Sequence, residues 1–159
     1  MLKLRVLLTF ILVLISNNFK TINYKLEIIN QYQEDYLAKL EIPKIKLIKK
    51  LYSKNSSFNN VDINLMMIGD TPGTDTKVII AGHSGYGSNA YFNDLIYLDI
   101  DDEIIVYYKN EKYVYKISKI YDIEKTGKIY LEKSDVGIIV LITCRIGTNM
   151  QTVYKGYLK

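Results

Sequence analysis

The architecture follows from Gly137-Ile138-Ile139-Val140-Leu141-Ile142-Thr143-Cys144, an uncharged and mostly apolar run of strand length. A strand in which apolar residues do not alternate with polar ones is usually buried on both of its faces. We therefore predict that this run forms a central strand of a sheet. It ends at Cys144, which is the only cysteine in the chain.

A second buried strand is predicted at Val78-Ile79-Ile80-Ala81, and the only histidine, His83, follows it in a glycine-rich turn. If the two strands are parallel neighbours, His83 and Cys144 lie at the same rim of the sheet, where loops can shape a site. A thiolate nucleophile beside an acid/base imidazole suits attack on a carbonyl and protonation of a departing amine. The alternative is that both are ordinary strand-end residues, a small buried cysteine and a hydrogen-bonded histidine.

The rest of the chain also predicts short strands separated by turns. Residues 103–108 and 112–121 flank a polar turn and predict a hairpin, while Pro43 suits a strand at a sheet edge. One segment with helical spacing, Ala90 to Leu98, interrupts the strands. About eight strands with few helices indicate an all-β fold with short helices, either a barrel or a sandwich.

The N-terminus predicts a membrane anchor. Lys3 and Arg5 precede an apolar run from Val6 to Ile15, and this positive flank is expected to stay in the cytoplasm. The following Ser16-Asn17-Asn18-Phe19 is a poor cleavage site, so we favour an uncleaved signal anchor over a cleaved signal. The domain that follows would then be extracellular.

The chain is therefore predicted to have three segments. Residues 1–22 form the signal anchor, and residues 38–159 form one domain with one core. Between them, residues 23–37 predict an amphipathic linking helix, because apolar side chains recur there at three- and four-residue steps: Leu26, Ile29, Tyr32 and Tyr36.

Composition narrows the classes of function. The net charge of +4 is mild and the lysines are spread out, so we expect no nucleic-acid binding. A single cysteine excludes an intrachain disulfide and a cysteine-based metal site, and we expect no cofactor. The acidic residues at 99–103 are more typical of a solvated turn than of a calcium site.

Four motifs, in order, resemble those of the sortase family. They are Leu40-Glu41-Ile42-Pro43-Lys44-Ile45, Val78-Ile79-Ile80-Ala81-Gly82-His83-Ser84-Gly85, Tyr91-Phe92-Asn93-Asp94-Leu95 and Val140-Leu141-Ile142-Thr143-Cys144. Their order and spacing are similar to that family over roughly residues 38 to 158. The resemblance implies the eight-stranded sortase β-barrel, in a member like those of class B or class D.

The resemblance also implies a membrane-anchored cysteine transpeptidase on the outer face of a Gram-positive membrane. Cys144 would attack the Thr–Gly bond of an LPxTG-like sorting signal, and His83 would act as general acid to the leaving group. An amine on a peptidoglycan precursor or on a pilin lysine would then resolve the thioacyl intermediate.

The chain departs from the family at an arginine that sortases carry on the last strand, where it supports the substrate and the oxyanion. Gln151 occupies that position, and the only arginines are Arg5 and Arg145. We favour an amide hydrogen bond from Gln151 to the oxyanion. Arg145 is the second candidate, because a turn directly after Cys144 would let its side chain reach inward. The third alternative is that Arg145 is a solvated surface charge and the enzyme is weak.

Two other functions stay open. A thiol peptidase with the same site would hydrolyse its intermediate, and a catalytically silent sortase-like barrel would bind surface proteins. The intact pair of His83 and Cys144 argues against the silent barrel, whereas the absence of the last-strand arginine favours it.

Overall fold

The structure, a computed structural model, describes residues 16, 19–23, 36–126 and 128–159. The predicted anchor at residues 1–22 and the predicted linking helix at residues 23–37 lie mostly outside the described residues, so both stay predictions. In the part of the chain that is described, no helix is both long and apolar enough to span a membrane.

The chain divides into two compact units, Met1–Asp35 and Tyr36–Lys159, and the strands among the described residues lie in the second. The described residues of the first unit are helical. The second unit confirms the predicted eight short strands, which are β1 (Ala38–Ile42), β2 (Leu47–Leu51), β3 (Met66–Met67), β4 (Lys77–Gly82), β5 (Glu103–Tyr108), β6 (Glu111–Glu124), β7 (Ile138–Cys144) and β8 (Met150–Leu158).

The eight strands form one sheet in the order β2-β1-β5-β6-β8-β7-β4-β3, which curls into a nearly closed barrel around one core. The sequence left open whether the strands form a barrel or a sandwich, and the structure shows a barrel. β4 and β7 pair in parallel, while the other neighbouring pairs of described strands are antiparallel. Because parallel strands end at the same edge of a sheet, the carboxyl ends of β4 and β7 meet at one rim.

β7 is buried on both faces, as its uniform apolarity predicts. Ile139 and Leu141 point into the main core of the barrel. Ile138, Val140 and Ile142 point outward, into a second cluster that is covered by side chains of the loop between β6 and β7, Ile129 and Leu131. The loop therefore supplies the apolar cover that the outer face of β7 requires.

A glycine lets the core close under the end of β4. A Cβ atom on Gly82 would lie 2.6 Å from Leu65 Cδ2 and 2.7 Å from Phe92 Cδ2, so both side chains pack directly on its backbone. Phe92 precedes a 3₁₀ helix, Asn93–Tyr97, which is shorter than the predicted helical segment from Ala90 to Leu98. The close contact at Gly82 fixes the backbone immediately before His83.

Candidate active site

The ends of three strands bring the predicted site residues into one row. Gly82 lies opposite Thr143 in the parallel register, so the next residues, His83 and Cys144, leave β4 and β7 side by side. Cys144 is also the direct partner of Gln151 in the antiparallel β7–β8 ladder. Since neighbouring strands are about 4.8 Å apart, the three residues form a continuous row across β4, β7 and β8.

The row faces outward, away from the main core. Alternate residues of a strand point to opposite faces of the sheet. Ile142, two residues before Cys144, belongs to the outer cluster, as does Val153, two residues after Gln151. The side chains of Cys144 and Gln151 are therefore on the face that the β6–β7 loop partly covers.

A cavity of about 410 Å³ opens at this row. His83, Cys144 and Gln151 line it, and so do the cations Lys125 and Lys128. No carboxylate is among the described residues that line it, and most of the wall is apolar: Val61, Met66, Ile68, Ile79, Ala81, Ile123, Ile129 and Ile142. The site thus combines a nucleophile, a proton carrier and an amide with an apolar groove of moderate positive charge.

Two hydroxyl groups join the strand ends at this rim. Thr143 Oγ1 donates a hydrogen bond to the Gly82 carbonyl at 2.9 Å, in a buried position. Ser84 Oγ donates to the carbonyl of Cys144. The backbone before and after His83 is therefore tied to the strand that carries the nucleophile, a role for Ser84 that the sequence did not predict.

His83 has a carboxylate partner that the sequence analysis missed. Its Nε2 atom lies 3.1 Å from Asp62 Oδ1. Asp62 belongs to the segment between β2 and β3, more than twenty residues earlier in the chain, where no motif or periodicity pointed to the site. The side chain of His83 is 37% exposed, so the ring is accessible from the groove.

The two candidates for the role of the missing arginine, Gln151 and Arg145, have different surroundings. β7 ends at Cys144, and Arg145 begins a turn in which its NH donates to the Met150 carbonyl at 2.9 Å. The Arg145 guanidinium pairs with Asp122, which also accepts a hydrogen bond from Thr152 Oγ1 at 2.8 Å. Thr152 is next to Gln151 on β8 and so points to the opposite face. Gln151 lines the cavity of the row. Arg145 lines a neighbouring cavity of about 430 Å³, on the other side of the strand end, which Cys144 also borders.

An ionic contact holds the β6–β7 loop on the outer face. The Lys155 side chain is 7% exposed and pairs with Glu132, which also accepts a hydrogen bond from Tyr157 Oη at 2.7 Å. The hydrogen bonds from Lys155 and Tyr157 lower the pKa of Glu132 to about 2. Burial lowers the pKa of Lys155, but its hydrogen bonds with Glu132 and Tyr157 and the charges of both groups together outweigh this, so the pKa is raised overall. Both groups are thus charged at neutral pH.

Replacing Glu132 by glutamine is expected to loosen the β6–β7 loop, because Lys155 then remains buried without a counter-charge. We expect amide hydrogen exchange in the loop to rise by on the order of tenfold. The matched control is Glu124→Gln, the same change at an exposed position of β6. Equal exchange in both variants would contradict the role of Glu132 as the loop's anchor.

The same contact predicts a pH dependence of the loop. Because the pKa of Glu132 is lowered in the folded chain, its contribution to stability is present above its ordinary value of 4.5 and is lost as the pH falls toward about 2. Loop exchange in the native protein should therefore be insensitive to this group between pH 5 and 7.

A lysine side chain forms ion pairs with the acidic turn at residues 99–103. Lys44 Nζ donates to Asp99 Oδ2 at 2.7 Å and to Asp102 Oδ2 at 2.8 Å. Burial raises the pKa of Asp102, but hydrogen bonds from the Asp99 backbone and from Lys44 outweigh it, so the pKa is lowered overall. Lys44 thus offsets part of the negative charge of the turn.

A nearly closed eight-stranded barrel with cysteine and histidine at adjacent ends of parallel strands has the features of a thiol acyl-transfer protein. A family model of the sortase domain matches residues 40–157, which is most of the chain and nearly all of the barrel. The chain therefore belongs to the sortase family, whose members are cysteine transpeptidases that act on sorting-signal proteins and amine acceptors.

Solved structures support the same fold. Sortase A from Corynebacterium diphtheriae, a lid mutant, has a TM-score of 0.70 at 22% identity, with 81% of this chain and 73% of that chain covered. A Clostridium perfringens sortase D5 transpeptidase has a TM-score of 0.68 at 22% identity, covering 79% of each chain. Sortase C1 from Streptococcus agalactiae has a TM-score of 0.66 at 24% identity, covering 80% of this chain and 69% of that chain.

These similar structures come from sortase classes A, C and D, and at such identities they show the fold. No curated protein sequence matched the chain. The predicted family and the predicted eight-stranded barrel are both confirmed.

Proposed function

We propose that the protein cleaves an LPxTG-like sorting signal through Cys144 and transfers the new carboxyl end to an amine. The acceptor is an amine on a peptidoglycan precursor or on a pilin lysine. The observation that supports this most directly is the row of His83, Cys144 and Gln151 at the wall of one apolar groove.

The chemistry has two halves. In the first, the Cys144 thiolate attacks the Thr–Gly carbonyl, and the protonated His83 gives its proton to the departing glycine amine as a thioester forms. In the second, the acceptor amine attacks the thioester, His83 takes up the amine's proton, and the Cys144 thiolate leaves. The net reaction exchanges one amide bond for another and leaves the enzyme unchanged.

Gln151 is proposed to support the oxyanion of both tetrahedral intermediates. Its side-chain amide carries two N–H donors, and it projects from the position directly across β7–β8 from Cys144. A donor that is held next to the nucleophile stabilises charge which develops only during the reaction. In this role Gln151 takes the place of the family's last-strand arginine.

The groove is suited to an apolar residue of the sorting signal. Ile79, Ile123 and Ile129 line it beyond the reactive row. Burial of a leucine-sized side chain against such a wall contributes about 1.5–3 kcal/mol. Binding energy of this kind, remote from the scissile bond, orients the carbonyl toward Cys144.

Sortases are in general anchored to the membrane with an extracellular catalytic domain. We propose the same placement here, with residues 1–22 as the anchor in a Gram-positive cell membrane and 38–159 outside. The basic flank before the apolar run supports this orientation.

A silent binding barrel is the second candidate, favoured by the pairing of Arg145 with Asp122 and the consequent absence of an arginine from the row. A hydrolase would use the same first half-reaction. These three functions differ in whether a thioacyl adduct forms and in what resolves it.

The test is to incubate the full-length chain with a library of LPxTG-like peptides and to record intact mass spectra. A thioacyl adduct is expected, and the trapped peptide identifies the motif. Adding amines then distinguishes a transpeptidase, which yields the amide, from a hydrolase, which yields the acid. No adduct from any peptide, in a folded protein, would support the silent barrel.

A further inference from the structure

The backbone and the ring of His83 are held by separate hydrogen bonds. Its carbonyl accepts a hydrogen bond from the Phe92 NH at 3.0 Å, which fixes the backbone but does not orient the imidazole. The ring contact is with Asp62, whose Oδ1 atom lies 3.1 Å from Nε2. The ring's orientation therefore depends on how firmly Asp62 itself is held.

Asp62 is held from two sides. Its NH donates to Asn60 Oδ1 at 2.9 Å, within a turn that is closed by the Asn64 NH bonding to the Asn60 carbonyl at 2.8 Å. Its carbonyl accepts a hydrogen bond from Asn89 Nδ2 at 2.9 Å. Because Asn89 follows His83 in the chain, the segment before β3 and the segment after β4 converge on Asp62.

A carboxylate only accepts hydrogen bonds, so the nitrogen that faces it must carry a proton. The contact with Asp62 therefore selects the imidazole tautomer that is protonated at Nε2. Nδ1 is then the ring nitrogen that gives a proton to the leaving amine and takes one from the incoming amine. The Nε2 proton stays in place through both half-reactions.

We propose that Asp62 is a positioning residue that holds the His83 ring with Nε2–H directed to its carboxylate and leaves Nδ1 for proton transfer. The catalytic role of Asp62 rests on the proposed function, whereas the tautomer of the His83 ring does not depend on it. The opposing possibility is a surface contact without consequence, since the Asp62 side chain is 77% exposed and exposed pairs contribute little.

The tautomer can be measured directly, because His83 is the only histidine in the chain. Full-length protein labelled with ¹⁵N-histidine gives one pair of ring nitrogen signals, recorded at a pH where the imidazole is neutral. The wild type is expected to show the Nε2–H tautomer as the dominant species. Asp62→Ala should shift the ring toward a mixture of both tautomers.

Kinetics supply the second readout. Asp62→Ala is expected to lower kcat for peptide cleavage by about tenfold with little change in KM, because ring orientation affects proton transfer more than substrate binding. Asp62→Asn retains an oxygen that can accept from Nε2–H, so it should recover the tautomer and most of kcat. Asp94→Ala removes an exposed carboxylate elsewhere on the domain and should change neither.

The proposal is overturned if the wild-type ring is protonated at Nδ1, or if Asp62→Ala leaves both tautomer and kcat unchanged. The two proposals can fail separately. A tautomer that shifts in Asp62→Ala, in a protein that never forms a thioacyl adduct, would retain the positioning role and reject the transpeptidase.

Discussion

Cys144→Ala is expected to abolish the thioacyl adduct and to reduce peptide cleavage by on the order of 10⁶-fold, to the detection limit. The reason is that no other thiol exists in the chain, so no second nucleophile can replace the lost sulfur. Turnover is measured with the peptide that the mass-spectrometric screen identifies, and the adduct is measured by intact mass. The substitution removes one atom from a half-buried position, so the fold should persist.

Two controls separate loss of chemistry from loss of structure. Thermal unfolding should occur at nearly the same temperature in Cys144→Ala and in the wild type. His83→Ala keeps the sulfur but removes the proton carrier, so it should slow both cleavage and the reaction of the single thiol with a labelling reagent. If Cys144→Ala still cleaved the peptide, the nucleophile assignment would be wrong.

The barrel and the central pair of residues could be predicted from sequence because both depend on local patterns. The run from Ile138 to Cys144 predicted a strand buried on two faces, and the structure places it between β4 and β8. Cys144 ends that run and His83 directly follows β4, so a shared site required the two strands to be parallel neighbours. The structure shows that they are.

The contacts around the pair could not be predicted, because they join parts of the chain that no local pattern relates. Asp62 contacts His83 from the segment between β2 and β3, where the sequence shows no motif that relates it to the site. Lys155 is buried in β8 because Glu132 covers it from the β6–β7 loop, whereas a lysine in a sequence predicts an exposed side chain. Such tertiary pairings override the preferences of each residue alone.

The position of Arg145 illustrates the same limit. From sequence, a turn after Cys144 allowed its side chain to reach the site, and the turn is present. The side chain nevertheless pairs with Asp122. The two residues are far apart in the chain, so the sequence alone did not predict this contact. Experiment must therefore decide whether Gln151 or Arg145 supports the oxyanion. The position of Gln151 next to Cys144 on β8 favours Gln151.

Gln151→Ala is expected to lower kcat by about 10²–10³-fold, the usual effect of removing one oxyanion donor. The largest part of this loss should be in kcat and not in KM, because the hydrogen bond strengthens only as charge develops on the carbonyl oxygen. Gln151→Glu is the matched variant: it keeps the size of the side chain but, when ionised, offers no donor, so it should be at least as impaired.

Two further substitutions decide between the candidates. Gln151→Arg places a guanidinium where the family has one, and it should retain far more activity than Gln151→Ala. Arg145→Ala breaks the contact with Asp122 at the far side of β8, so it should change kcat by less than about threefold, as exposed ion pairs contribute little. A hundredfold loss in Arg145→Ala together with a mild effect of Gln151→Ala would reverse the assignment, and it would mean that the Arg145 side chain leaves Asp122 and turns into the groove when substrate binds.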